Sequence, residues 1–242
     1  SEATPNALLV VDGEKREVVS RYLIPKIAVI DADLTLSAPS RITASSGIDA
    51  LVHACESYTS VAATPLSEMY SLRAVELIAT SLRTAVWQGT DRSARADMSL
   101  GSLMAGVAIA NAGTGAVHAL AYPLGGKYGI PHGISNALMF PYVAEWNAVS
   151  NVSRFATLAK AMGERIDGLS IRQAAFLFAE SVKTIVEDVG LPTTLAEVGI
   201  GSEELDYLAH SAAQQTRLLR NNPRRLSLDD ISLIYRRAMN PL

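Results

Sequence analysis

Apolar positions follow two different periods along this chain. Near the start they come in short runs rich in Leu, Val and Ile, at 7–11 and 27–30, flanking Asp12-Gly13 and the charged segment EKREVVSRY. Runs of this length beside turn residues predict strands, and APS at 38–40 closes the region. Beyond residue 40 the period becomes helical. Residues 43–58 carry apolar or small side chains at Ile48, Leu51, Val52 and Cys55, and the next segment has Leu72, Val75, Ile78, Leu82 and Val86 at spacings of three and four. Thr64-Pro65 is a helix start, an N-cap residue followed by proline at the first helical position. Ser170, Ser202 and Ser227 mark later starts, the last two followed by acids that suit a helix N-terminus. The pattern predicts two strands followed by about eight helices, two layers of different kind and not an alternating βαβ sheet. There is no internal repeat and no low-complexity linker.

One stretch complicates this picture. Residues 98–126 contain no Asp, Glu, Lys or Arg, long enough to meet the length test for a membrane span. Its Gly, Ala and Ser content, Asn111, His118 and the sequence NAGTGA argue instead for two buried helices joined at 113–115. GTGAVH lacks the preceding strand and full glycine spacing of a phosphate-cradling loop, so it reads as that helix junction. Composition agrees with a packed core, since 49% of the 242 residues are apolar and 19% charged. With 21 basic and 24 acidic residues the net charge is −3, and nothing calls for nucleic acid or an anionic membrane as partner. The single cysteine, Cys55, cannot form an internal disulfide, which suits a reducing cytoplasm. The opening SEATPNALLVV has no basic or apolar leader segment and reads as the interior of a longer protein.

The chemistry candidates are histidines. There are four, His53, His118, His132 and His210. Asp49 and His53 are four residues apart and share one helical face. His118 sits in an apolar helix, and His132 opens another after the expected loop GGKYGIP, so a fold-back of that loop can bring both rings to one point. A carboxylate with three imidazoles suits Fe²⁺ or Zn²⁺. Taken singly, each element has a plainer reading: an ordinary i,i+4 contact for Asp49 and His53, a hydrogen-bonded core residue for His118. His210, in LDYLAHSAAQQ, has no such setting and reads as a surface or packing residue.

These residues resemble the iron-containing (group III) alcohol dehydrogenase family. GIDALVHACESYTS looks like its first metal motif, D-x3-H, and HALAYPLGGKYGIPHG like its second, H-x13-H. ATPLSEMYSLRAVELI, AGVAIANAGTGAVHAL, NALMFPYV and NPRRLSLDDI are similar to further family segments, so the likeness runs along essentially the whole chain. It is strongest to the lactaldehyde/propanediol and aliphatic-alcohol branches. Glycerol dehydrogenase and dehydroquinate synthase are more distant relatives. The resemblance implies a mainly α fold: an all-helical, dehydroquinate synthase-like C-terminal domain over 41–242, preceded at 1–40 by a short β remnant of an α/β dinucleotide-binding domain. It makes Asp49, His53, His118 and His132 metal ligands and Lys15 a cofactor contact, the plainer reading of Lys15 being a solvated turn lysine. Tyr122 stands where many members carry a histidine thought to help proton transfer. A phenol with an ordinary pKa near 10 is a poorer shuttle at neutral pH than an imidazole.

The implied activity is hydride transfer between an alcohol or aldehyde and NAD or NADP at an Fe²⁺ or Zn²⁺ centre, in a cytoplasmic enzyme that is a homodimer at full length. The chain by itself is expected to bind metal without turning over alcohol, because most of the cofactor domain lies outside it. Two alternatives stay open. One is a non-catalytic helical metal-binding or interaction domain derived from a dehydrogenase. The other is a metal hydrolase, which lacks the general-base motif H-E-x-x-H here.

Overall fold

The N-terminal apolar run pairs where the charges are. In the computed structural model, which describes residues 3–11 and 14–239 (the backbone alone for 8–11 and 14–17), β1 spans Asn6–Val11 and β2 spans Glu14–Val19. They form an antiparallel ribbon from Asn6 opposite Val19 to Val11 opposite Glu14. The second strand is therefore the charged segment and not 27–30 as expected. Residues 27–30 have no regular structure, with Ile27 and Val29 81% and 84% exposed. Their apolar content matched a strand, but a strand also needs an edge to pair with, and among the described residues β1 takes β2 as its partner.

Ten α-helices follow among the described residues. The long ones come first: α1 at Ser40–Thr59, α2 at Pro65–Trp87, α3 at Arg92–Ala112, α4 at Ala116–Tyr128 and α5 at His132–Ala148. Then come α6 at Val152–Ala161, α7 at Ile171–Asp188, α8 at Leu205–Ala213, α9 at Thr216–Asn221 and α10 at Leu228–Met239. The expected starts at Thr64 and Ser170 are capping boxes, with Ser67 and Gln173 returning the bond. Ser227 and Asp230 exchange the same kind of pair ahead of α10. Ser202 differs: it lies inside a 3-10 turn at Ser202–Glu204, and α8 begins only at Leu205.

α1 is the central element, packed against α2, α3 and α5, while α4 leans on α5 and α8. The core joins Ile48 and Leu51 of α1 to Ile78 and Leu82 of α2, Leu120 and Leu124 of α4, Met139 of α5 and Phe178 of α7, all buried. The charge-free stretch forms α3 and α4, bent by 104° at the NAGTGA junction. No single described helix is long and apolar enough to cross a membrane. Gly113 makes this elbow with a φ of 71°, and the Asn221 side chain fills the space a β-carbon would need.

The return from α4 to α5 is tighter than the sequence suggested. α4 continues through GGKY to Tyr128, so only residues 129–131 separate it from α5. Gly129 ends α4 in the left-handed conformation at φ 67°. Gly133, in the first turn of α5, then meets the backbone of Ser45 on α1, where a β-carbon would stand 2.7 Å from the Ser45 carbonyl carbon. That close approach carries the start of α5, and with it His132, onto α1.

Candidate metal centre

Three helices deliver four side chains to one place. Asp49 and His53 come from α1, His118 from the first turn of α4 and His132 from the first residue of α5. The Asp49 Oδ1 lies 3.8 Å from His118 Nε2 and 3.6 Å from His132 Nε2. His53 meets the other carboxylate oxygen, with Nε2 4.0 Å from Asp49 Oδ2, and its ring stacks on His118 at 4.9 Å between centroids. Asp49, His118 and His132 form a group whose donor atoms all lie within 4.8 Å of one another. His53 stands beside this group.

These separations fit an ion. Ligands about 2.1 Å from a tetrahedral ion lie about 3.4 Å apart, so the observed 3.6 and 3.8 Å need to close by only a few tenths of an ångström. The Asn136 amide reports the same convergence. Its Nδ2 is 2.5 Å from Asp49 Oδ1, 3.3 Å from His118 Nε2 and 3.1 Å from His132 Nε2, so one N–H₂ group faces all three atoms. Its Oδ1 is buried without a hydrogen bond, an uncommon state for a buried polar atom. A point where three possible ligand atoms meet a partial positive charge, beside an unsatisfied oxygen, is a point suited to a cation.

The electrostatics agree. Burial pushes the Asp49 carboxyl up, but His53, His118, His132 and the Asn136 amide outweigh it and hold it below the usual value, as an anion at neutral pH. Burial pushes His53 down to about 4; the Asp49 charge opposes this and the neighbouring imidazoles add to it. His53 is therefore neutral at pH 7, the form an imidazole needs to bind metal. The centre is closed on one side and open on the other: the His118 side chain is 4% exposed and that of His132 50%. Behind His118, its Nδ1 lies 2.6 Å from Glu56 Oε2.

The structure thus brings together all four histidine and aspartate positions expected from sequence. The Tyr122 ring lies 6.1 Å from that of His132, one turn along α4 from His118. Lys15 is on β2 opposite Val10, and its side chain lies outside the described residues. His210 is exposed on α8, with Nδ1 2.8 Å from the Asp206 carbonyl. Sequence reasoning missed Glu56 and Asn136. Both were signalled by helical period, Glu56 seven residues after Asp49 and Asn136 four after His132.

The sequence profile of the Fe-containing alcohol dehydrogenase family, C-terminal, matches residues 43–239. The chain belongs to the iron-containing alcohol dehydrogenase family. It is 44% identical over 238 residues to long-chain-alcohol dehydrogenase 1 of Geobacillus thermodenitrificans, covering 98% of this chain and 60% of that protein. To lactaldehyde reductase of Escherichia coli it is 36% identical over 241 residues, 98% of this chain and 62% of the relative. The crystal structure of a 1,3-propanediol oxidoreductase superposes with a TM-score of 0.95 at 37% identity, covering 98% of this chain and 63% of the other. The chain therefore spans about three fifths of the length of these relatives. The family's helical fold is the one found here, as the resemblance implied.

Proposed function

We propose that this chain is the metal-binding part of an alcohol dehydrogenase or aldehyde reductase that uses NAD or NADP and acts on a small alcohol or aldehyde. The observation that carries the reading is the convergence of Asp49, His118 and His132 at separations close to those of a tetrahedral ion, around the Asn136 amide. The openness at His132 favours catalysis over a purely structural role, since catalytic sites keep one position free. Residues 41–242 are then the metal domain and 1–40 the end of the dinucleotide-binding domain. In support, the family match begins at 43 and α1 begins at Ser40.

Asp49, His53, His118 and His132 would hold Fe²⁺ or Zn²⁺, and Lys15 would contact the cofactor. When bound, the ion supplies Lewis acidity toward a substrate oxygen and the nicotinamide carries the hydride. The chain's own part is placement and proton handling. Asp49 neutralises part of the ion's charge, and the buried face behind His118 excludes water from one side. Tyr122, whose ring lies 6.1 Å from that of His132, would be the group that handles a proton beside the centre.

Anaerobic titration of the purified chain with Fe²⁺ and with Zn²⁺ tests the site. One ion per chain is expected, and no binding of either would refute the reading. The same chain is expected to show no alcohol oxidation with NAD⁺ or NADP⁺, and robust turnover would refute the division into domains.

A further inference from the structure

A buried carboxylate lies behind the centre and touches none of the three converging donor atoms. Glu56 is 7% exposed and occupies the α1 face that carries Asp49 and His53. Its two oxygens have separate partners. Oε1 accepts from the Val117 backbone N–H at 2.6 Å, and Oε2 is 2.6 Å from His118 Nδ1. Val117 lies in the first turn of α4, where backbone N–H groups have no partner within the helix and the helix dipole favours a negative charge. Gly115 leaves room for this arrangement: a β-carbon there would stand 3.2 Å from Glu56 Oε1 and 3.3 Å from Asn222 Oδ1. Behind the carboxylate a cavity of about 20 Å³ is walled mainly by apolar side chains, including Cys55, Val117, Phe140, Phe155 and Phe178. A hydrogen bond to a carboxylate in such buried surroundings is stronger than one in water.

We propose that Glu56 is a positioning residue that fixes the tautomer and orientation of His118. The inference rests on the metal-centre reading for its purpose, but its geometry stands alone. A carboxylate side chain offers two acceptor oxygens. With Val117 N–H on one oxygen, the other draws the imidazole proton to Nδ1. The opposite nitrogen, Nε2, then carries a lone pair. It faces the Asn136 Nδ2 donor at 3.3 Å and Asp49 Oδ1 at 3.8 Å, where a protonated Nε2 would meet the Asn136 donor head-on. Both ends of the ring thus require the same tautomer, the one that offers Nε2 to an ion. α1 thereby supplies both a ligand, Asp49, and the group that aims a ligand on another helix.

The test is Glu56→Gln, which keeps the shape of the side chain. The glutamine oxygen can satisfy Val117 N–H only by turning its N–H₂ toward His118 Nδ1, which drives the ring proton to Nε2. Long-range ¹H–¹⁵N spectra of the metal-free wild type should show His118 protonated at Nδ1, and those of E56Q should show protonation at Nε2. Competition against a chromophoric chelator should show Zn²⁺ affinity of E56Q about 10- to 100-fold below wild type, with cooperative unfolding retained. A wild-type His118 protonated at Nε2 overturns the proposal without any variant, so it stays testable if E56Q does not fold. An unchanged tautomer in a folded E56Q overturns it whatever the affinity does. Failure of the wild type to bind Zn²⁺ would instead count against the metal reading, because the tautomer measurement uses metal-free protein.

Discussion

Gly133 stands against the backbone of Ser45, with no space between α5 and α1 for even a methyl group. This contact sets the distance from His132 to Asp49. Gly133→Ala is expected to push the start of α5 away from α1, weakening Zn²⁺ binding by about tenfold or more. The overpacking should also cost about 1–3 kcal/mol. Zn²⁺ competition titration and urea unfolding of the variant measure the two effects. Unchanged affinity would show that α5 relaxes without moving His132.

Asp49 Oδ1 faces both His118 and His132, so it is the atom common to the converging contacts. A ligand that binds only the folded state at one hundred times its dissociation constant stabilises by about 2.7 kcal/mol. Saturating Zn²⁺ should therefore raise the melting temperature of the wild type by several degrees. Asp49→Asn, which keeps the shape and removes the charge, is expected to abolish most of that rise. Thermal melts with and without Zn²⁺ give the comparison.

Tyr142 provides a pH test away from the centre. Its hydroxyl donates to the Thr193 carbonyl at 2.7 Å. Burial, with Glu197, Glu187 and Glu145 nearby, pushes its pKa up to about 12. A raised pKa in the folded state contributes stability that is fully present below pH 10. That contribution is lost as the unfolded chain ionises between pH 10 and 12. At pH 11 the loss is about 1.4 kcal/mol. Tyr142→Phe should thus lose about 1.4 kcal/mol less than wild type between pH 8 and pH 11 in urea unfolding. At neutral pH it should be less stable by about 1 kcal/mol, for the lost hydrogen bond.

Much of the helical order was legible because local signals carry it. The Thr64 and Ser170 caps, the elbow at 113–115 and the start of α5 at His132 each depend on a few adjacent residues. The second strand was misplaced for the complementary reason. EKREVV looks like a surface segment alone, and only its pairing with β1 makes it a strand. The length of α4 was misread because two adjacent glycines, Gly125 and Gly126, weaken helix propensity, yet α4 carries both and ends only at Tyr128, where Gly129 takes the left-handed cap.

The sequence by itself determined the helical period and the family, and it named Asp49, His53, His118 and His132 as candidates, because residue type and spacing suffice for motifs. Tertiary structure alone decided three things: that Asn136 faces all three donor atoms, that His132 is the open edge, and that Glu56 holds His118 from behind. These are contacts between helices. They depend on how closely α1, α4 and α5 approach, and that approach is set by packing around Gly115 and Gly133, which no local pattern of hydrophobic and polar residues records.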